Sequence, residues 1–529
     1  MKPLQILKQK ALLITTSKPT DAATVTEGAE VIDGSAGKVF VPWTQSNAMA
    51  LAHIGAPTLS AIARDYDFPG RFTPMPHQLR ICNFLTLYPR GFCFADMGLG
   101  KTACGIWSAD YLMQIGLIKR VLVVCPLSIC EAAWGDEIFK VKPNEPYVVL
   151  HGAASKRRAL AKSPARWHII NFDGIEVIKD DLIRNDYDLI IIDESTGYKN
   201  HKTSRWKALA SLIKPTTYCW GFTGTPVPNF PTDAYGQAKL ITPQNVRGLS
   251  FTAFKERTMK QVSQFRWLPL AQAKDEVNKI LTPAIRMRKV DCLKDLPPVT
   301  FEWFYVELSK EQKHLLKKLR EEETVTAGGF TITAVHAASL LSKVLQISTG
   351  AVYDTEGVAV SIPMAPRIEQ VKELVAQARC IQATNGAEGG KTLIFTQFRH
   401  TVEVLQTELS KLFNVAVIHG DVSPHKRAEI VSTFQNTPEI DVIIAVASTM
   451  SHGITATAAN TAIWFGPVMS GEVYQQACNR MDRPGQTQNM LIAHMYSSSI
   501  EKRWYDILSN RKGDQDATLD LYNEFMNSN

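Results

Sequence analysis

The sequence predicts an α/β fold of two parallel-sheet lobes with helical insertions and a small N-terminal module, and two observations carry that expectation. First, several β-rich segments are apolar on consecutive residues: Val121–Cys125 (VLVVC), Leu189–Ile192 (LIII), Leu393–Phe395 (LIF) and Val442–Val446 (VIIAV). Parallel strands covered by helices on both faces carry that pattern, whereas half-exposed strands alternate. Second, these runs alternate with helical patterns in two blocks, roughly 71–240 and 366–510, as sheets flanked by helices on both sides require.

The composition agrees. The chain has 529 residues, 45% of them apolar and 21% charged, which excludes a disordered, collagen-like or fibrous chain and leaves ample length for buried cores. Lys+Arg exceed Asp+Glu by 58 − 51 = 7, so a polyanionic partner is permitted but not demanded. Nine cysteines form no C-x-x-C pair and no regular framework, which fits reduced thiols better than disulfides or structural zinc. Lys8 and Lys10 interrupt the first apolar run, and nothing approaches the span of about 20 apolar residues that a membrane helix needs. The expectation is a soluble, cytoplasmic protein with no membrane partner.

Residues 1–70 hold short strand-like pieces and turns, a small N-terminal accessory module. Residues 71–295 form the first lobe and end in a helical, basic insertion from about 240 to 295. Residues 296–365 are expected to be a linker and helical segment: Leu296-Pro297-Pro298, a charged helix near 309–323, and breaks at Gly328-Gly329 and Pro363–Pro366. Residues 366–529 form the second lobe and a C-terminal helix.

Phe92–Thr102 reads FCFADMGLGKT, an apolar strand, a glycine turn, then Lys-Thr opening a helical pattern. Gly98-Leu99-Gly100 lets backbone N–H groups approach an anion, and the helix N-terminus adds its positive dipole. Lys101 reaches terminal phosphates and the Thr102 hydroxyl ligates magnesium, although Ala95 stands where the general pattern wants Gly. Tyr187–Asn200 reads YDLIIIDESTGYKN, a buried strand ending in two carboxylates. Asp193 is placed to hold the metal through water, and Glu194 to orient or deprotonate an attacking water. The pair of elements calls for a phosphate-bearing nucleotide with Mg2+, and the resemblance described next implies that the nucleotide is ATP.

The residues ADMGLGKT, Asp193-Glu194 and Thr223-Gly224-Thr225-Pro226 resemble motifs I, II and III of helicase superfamily two. Finer features resemble its Swi/Snf-type ATPases, compact viral and bacterial members included: Pro126-Leu127-Ser128 before Trp134-x-x-Glu137, His151-Gly152, Lys199-Asn200 and Pro226-Val227-Pro228-Asn229. His77-Gln78 is similar to the family's adenine-reading glutamine, and an amide suits a base with donor and acceptor. Tyr474–Gln486 (YQQACNRMDRPGQ) resembles motif VI, with Gln476 at the nucleotide and Arg480 and Arg483 as fork-shaped donors to the γ-phosphoryl. Their i, i+3 spacing predicts one helix face for both. Leu393-Ile394-Phe395, His419-Gly420-Asp421, Ser448-Thr449 through Gly453, and Trp464 with Gly466-Pro467 complete a resemblance over residues 73–513. Departures are Ser195-Thr196 after the acidic pair, Met450 for a frequent basic residue, and Asn479 where many helicases have Gly.

The resemblance implies two RecA-like lobes of the P-loop NTPase class. Lys101, Glu194, Arg480 and Arg483 would be catalytic, and ATP would close the cleft between the lobes. It further implies an ATP-dependent translocase on duplex DNA that remodels, anneals, branch-migrates or strips bound protein. A strand-separating helicase, a nucleic-acid clamp and a remodeller of a protein partner stay open, as does double-stranded RNA. Residues 255–294 hold ten Lys/Arg against four Asp/Glu. Arg286, Arg288 and Lys289 there, with Ser128, Ser448 and Thr449 at strand ends, are the expected backbone contacts, and Lys156-Arg157-Arg158 is a second basic cluster. No nuclease, methyltransferase or zinc signature is attached.

Overall fold

The computed structural model describes all residues except 1–3, 9, 229, 263–266, 328–333, 354–358, 385–389, 451–454, 510–520, 522–525 and 527–529. Asn229, Gly328-Gly329 and Gly453 therefore lie outside the described residues. The chain divides into two compact units, Met1–Cys292 and Leu293–Asn529.

In the first unit an antiparallel sheet, order β1-β2-β4-β3, is built from β1 (Leu4–Leu7), β2 (Ala11–Thr15), β3 (Glu30–Asp33) and β4 (Lys38–Pro42). It has its own small core around Leu12, Ile14, Val39, Val41 and Trp43. The module is not free-standing. Gln45 Nε2 donates to the Thr86 carbonyl (2.7 Å), Tyr66 O–H to Asp110 (2.9 Å), and Trp107 to the Pro69 carbonyl (3.1 Å).

The main sheet of this unit comprises β5 (Arg90–Ala95), β6 (Val121–Cys125), β7 (Tyr147–Val149), β8 (Trp167–Asn171), β9 (Leu189–Asp193) and β10 (Tyr218–Thr223). After the hairpin β11 (Met259–Gln261) and β12 (Trp267–Pro269) comes β13 (Ala284–Met287), which joins the same sheet. Its seven strands run parallel in the order β13-β5-β10-β9-β6-β8-β7. Every residue of β6, β8 and β9 is buried, which is why the consecutive apolar runs were legible as strands. The expected helical insertion is mixed: helices Phe251–Thr258 and Ala273–Ile280 flank the hairpin, and the chain then returns as the edge strand β13.

The second unit holds β14 (Val299–Tyr305), the short pair β15 (Ala351–Tyr353) and β16 (Ala359–Ser361), then β17 (Lys391–Thr396), β18 (Val415–Ile418), β19 (Val442–Val446), β20 (Ala459–Trp464) and β21 (Met490–Tyr496). Six of these form a parallel sheet in the order β14-β21-β20-β17-β19-β18. The linker expected over 296–365 needs correction here: residues 299–305 are already a strand of the second sheet, and helix Lys310–Ala327 follows. No helix among the described residues is long and apolar enough to cross a membrane.

Candidate active site

The phosphate loop leaves the buried end of β5 and enters helix Lys101–Gln114. Gly98 and Gly100 have φ of +82° and +75°. The left-handed backbone at Gly100 suits only glycine without strain, and a Cβ there would run into the Gln78 amide. Lys101 Nζ lies across its own loop, donating to the carbonyls of Ala95 (2.6 Å) and Asp96 (3.2 Å). Thr102 follows on the same first turn, half-buried. Leu99 is buried, and its carbonyl accepts from the His77 ring (3.2 Å) and Gln78 Nε2 (3.5 Å). Burial holds His77 below the usual imidazole range. Gln78 Oε1 meanwhile accepts from the Met75 N–H (2.8 Å). Gln78 thus stands beside the phosphate loop, with its amide closing the start of helix Pro76–Leu87.

Two strands away, β9 ends in Asp193. Oδ2 of this buried carboxylate accepts the Trp134 indole N–H at 2.8 Å, and Oδ1 accepts the Glu194 N–H at 3.1 Å. Burial pushes the Asp193 pKa up, and the nearby Lys101 charge and these two donors oppose the shift. Glu194 has φ +52°, uncommon for a residue with a Cβ. That turn carries its Oε2 to the Thr223 hydroxyl, which donates at 3.2 Å from the end of β10. Ser195 O–H donates to Gln237 Oε1 (2.7 Å), and Gln237 Nε2 donates to the Pro226 carbonyl (2.7 Å), tying the acidic turn to the Thr-Gly-Thr-Pro loop. Lys101 after β5, Thr223 at the end of β10 and Asp193-Glu194 at the end of β9 therefore lie at the carboxyl ends of three neighbouring strands, where ligands bind in open α/β sheets.

In the second unit the arginine pair departs from expectation. Helix Gly471–Cys478 ends before either arginine, and Pro484-Gly485 (φ +98° at Gly485) keeps the chain from resuming it. Each arginine is anchored from a turn instead. Arg480 Nε donates to the Gln476 carbonyl (3.0 Å), and Arg483 Nε to the Asn479 carbonyl (3.0 Å). A second nitrogen of Arg483 donates to the Thr455 hydroxyl (2.9 Å). Gln476 is buried, with its amide nitrogen on Glu472 (3.0 Å).

The expected backbone contacts divide. Ser128 and Ser448 are exposed after β6 and β19. The Thr449 hydroxyl lies on the Val446 carbonyl (2.6 Å). Arg286 points into the phosphate loop, donating to Asp96 Oδ1 and to the Gly224 carbonyl, both at 2.8 Å. Arg288 pairs with Asp291 (2.7 Å), and the Lys289 N–H donates to Asp96 Oδ2 (2.9 Å). Arg157 of the second basic cluster is buried on the carbonyls of Leu150 and Gly152 and on Asn171, so it is structural. Sequence reasoning noticed Trp134 and Arg286 as motif letters but not their carboxylate partners, because no local spacing connects them.

Comparison with known proteins completes the description. A family model, SNF2-related domain, matches residues 77–350, and a second, helicase conserved C-terminal domain, matches residues 368–485. The chain is 25% identical over 478 residues to putative protein p41 of Acyrthosiphon pisum secondary endosymbiont phage 1, covering 86% of this chain and 99% of that one. It is 24% identical over 444 residues to the ATP-dependent DNA helicase DDM1 of Arabidopsis thaliana, covering 78% of this chain and 57% of that one. Three further relatives are much longer, and the chain spans 20% to 38% of their length. Among solved structures, the Sulfolobus solfataricus SWI2/SNF2 ATPase core in complex with dsDNA is 24% identical with a TM-score of 0.42, over 84% of this chain and 95% of that one. With the SNF2-related model spanning more than half its length, the chain belongs to the SNF2-related domain family.

Proposed function

We propose that the protein is a DNA-dependent ATPase, a helicase-like motor that moves on duplex DNA and so remodels, anneals, branch-migrates or strips what is bound there. The observation that carries this reading is the placement of Lys101, Thr223 and Asp193-Glu194 at three neighbouring strand ends of an SNF2-family chain. A relative's name, ATP-dependent DNA helicase, and the local excess of six positive charges over residues 255–294 favour DNA as the track.

ATP would draw Lys101 off the Ala95 and Asp96 carbonyls onto its terminal phosphates. The donor set fits Mg2+: Asp193 at the end of β9 offers carboxylate oxygens and Thr102 a hydroxyl, hard oxygen ligands of the kind Mg2+ takes. Bound Mg2+ supplies charge neutralisation at the phosphates. Glu194, oriented by Thr223, holds the attacking water. Arg480 and Arg483 stabilise charge on the γ-phosphoryl, and Gln78 and Gln476 contact the nucleotide.

The test is the steady-state ATPase rate with no nucleic acid, single-stranded DNA, blunt duplex DNA, forked DNA and duplex RNA, with Lys101→Ala as the blank. Strong stimulation by blunt duplex, followed by displacement of a triplex-forming strand, is expected. Stimulation by single strands alone would make the chain a strand-separating helicase, and indifference to all of them would point to a protein partner.

A further inference from the structure

We propose that Arg286 and Asp96 form a clamp that holds the phosphate loop and links it to the basic segment, which makes Arg286 a positioning residue for the nucleotide and not a contact to nucleic acid. The inference rests on the ATPase reading above.

Asp96 is the second residue of the loop and is fastened on every side. Its N–H donates to the Met287 carbonyl (3.0 Å). Its two carboxylate oxygens accept from Arg286 (2.8 Å) and from the Lys289 N–H (2.9 Å). Its carbonyl accepts from Lys101 Nζ (3.2 Å). The Arg286 guanidinium meanwhile reaches the Gly224 carbonyl (2.8 Å) with its other terminal nitrogen. One planar fork thus spans the phosphate loop and the loop after β10. A rigid guanidinium can satisfy two acceptors in fixed directions, and a lysine ammonium cannot do so with the same geometry.

The pairing of β13 with β5 puts Arg286 opposite Phe94 and Met287 opposite Ala95, so the clamp sits at the last register step before the loop. The chain then leaves directly as Arg288 and Lys289. A polyanion that pulls on this segment pulls both donors of the Asp96 carboxylate at once. Asp96 in turn shares its peptide with the carbonyl that Lys101 leans on. The path from a charged ligand to the phosphate-binding lysine is therefore two residues long, all within the first unit.

The experiment uses the full chain with Arg286→Ala, Arg286→Lys, Asp96→Asn and the double variant Asp96→Asn/Arg286→Ala. Three quantities are read: affinity for a fluorescent ATP analogue with Mg2+, affinity for a blunt duplex across a salt series without nucleotide, and the ratio of DNA-stimulated to basal ATPase. Each single variant should weaken nucleotide binding about two- to fivefold, the range of a half-exposed ion pair. The double variant should be no worse than the singles, as expected for partners in one network. Duplex affinity should stay within about twofold with an unchanged salt slope, the stimulation ratio should fall, and Arg286→Lys should not rescue. Unchanged nucleotide affinity would overturn the clamp, and so would an Arg286→Ala variant whose duplex affinity drops with the salt slope reduced by about one. If Arg286→Ala misfolds, the isosteric Asp96→Asn decides by the same readings. A wild-type protein without nucleic-acid-stimulated turnover would sink the motor reading, while the nucleotide-affinity arm still tests the clamp.

Discussion

Trp134 donates its indole N–H to Asp193 Oδ2 at 2.8 Å, and both residues are buried. Trp134 lies in the widened turn Cys130–Gly135 after β6 and stacks on Phe222 of β10 with ring centroids 6.4 Å apart. The indole therefore cannot drift, and it fixes one oxygen of a carboxylate that burial already makes costly to charge. A hydrogen bond to a charged group contributes about 1.5–3 kcal/mol. Trp134→Phe, which keeps the ring and deletes the donor, should lower turnover about tenfold or more and raise the Mg2+ concentration at half-maximal rate. A Mg2+ titration of ATPase with circular dichroism as the folding control checks this; an unchanged titration would mean the bond serves packing alone.

Lys101→Ala should abolish hydrolysis while leaving duplex binding largely intact. Lys101 donates to two carbonyls of its own loop, so its loss removes a cation beside Asp193 without unpacking a core. Turnover at the wild-type rate would remove the loop from the site. Gel-shift and ATPase measurements on one preparation separate the two effects.

How much of this was legible in the sequence depended on whether partners are close along the chain. Val121–Cys125 and Val442–Val446 became strands with the predicted bounds, because strands buried on both faces write themselves as unbroken apolar runs. Val299–Tyr305 escaped because an edge strand has one neighbour and a partly exposed face, so its apolar residues are interrupted by Thr300 and Glu302. The arginine spacing suggested a helix, but the helix ends at Cys478 with Asn479 as its cap, and Pro484-Gly485 keeps the chain from resuming it. In the site, the glycine turn between β5 and helix Lys101–Gln114 was legible because strand, turn and helix are contiguous in the chain. Asp96 with Arg286, 190 positions apart, and Trp134 with Asp193, 59 apart, were not, because only the sheet order makes them neighbours.

Arg483→Ala should spare ATP binding and cut turnover by about 10³–10⁵, the worth of an arginine finger where measured. The Nε of Arg483 and one further nitrogen are anchored on Asn479 and Thr455, which aims the side chain without consuming the whole fork. Arg480 is more deeply buried, so Arg480→Ala should add a loss of stability to the loss of rate. Single-turnover hydrolysis beside thermal unfolding of both variants checks the contrast. Normal turnover in Arg483→Ala would make it a surface residue held only by Asn479 and Thr455.

Stability should fall in mild acid through two buried histidines, one in each unit. The ring of His168 meets the Tyr187 hydroxyl at 2.6 Å, and that of His494 the Tyr474 hydroxyl at 2.8 Å. Burial pushes both down to about 4 from the ordinary 6.5. Each folded pKa lies below its unfolded value, so between pH 6.5 and about 4 the unfolded chain takes up a proton that the fold refuses. The stabilisation is complete above about pH 6.5 and is lost as pH falls, by about 2 kcal/mol per histidine at pH 5 and about 3 kcal/mol at the end of the window. Urea unfolding of the wild type, His168→Gln and His494→Gln at pH 7.5 and pH 5 reads this directly. Each variant should lose about 2 kcal/mol less than the wild type between the two conditions, in the transition of its own unit. An identical loss in all three would mean these rings accept protons inside the fold, and carboxylates would then carry the acid sensitivity.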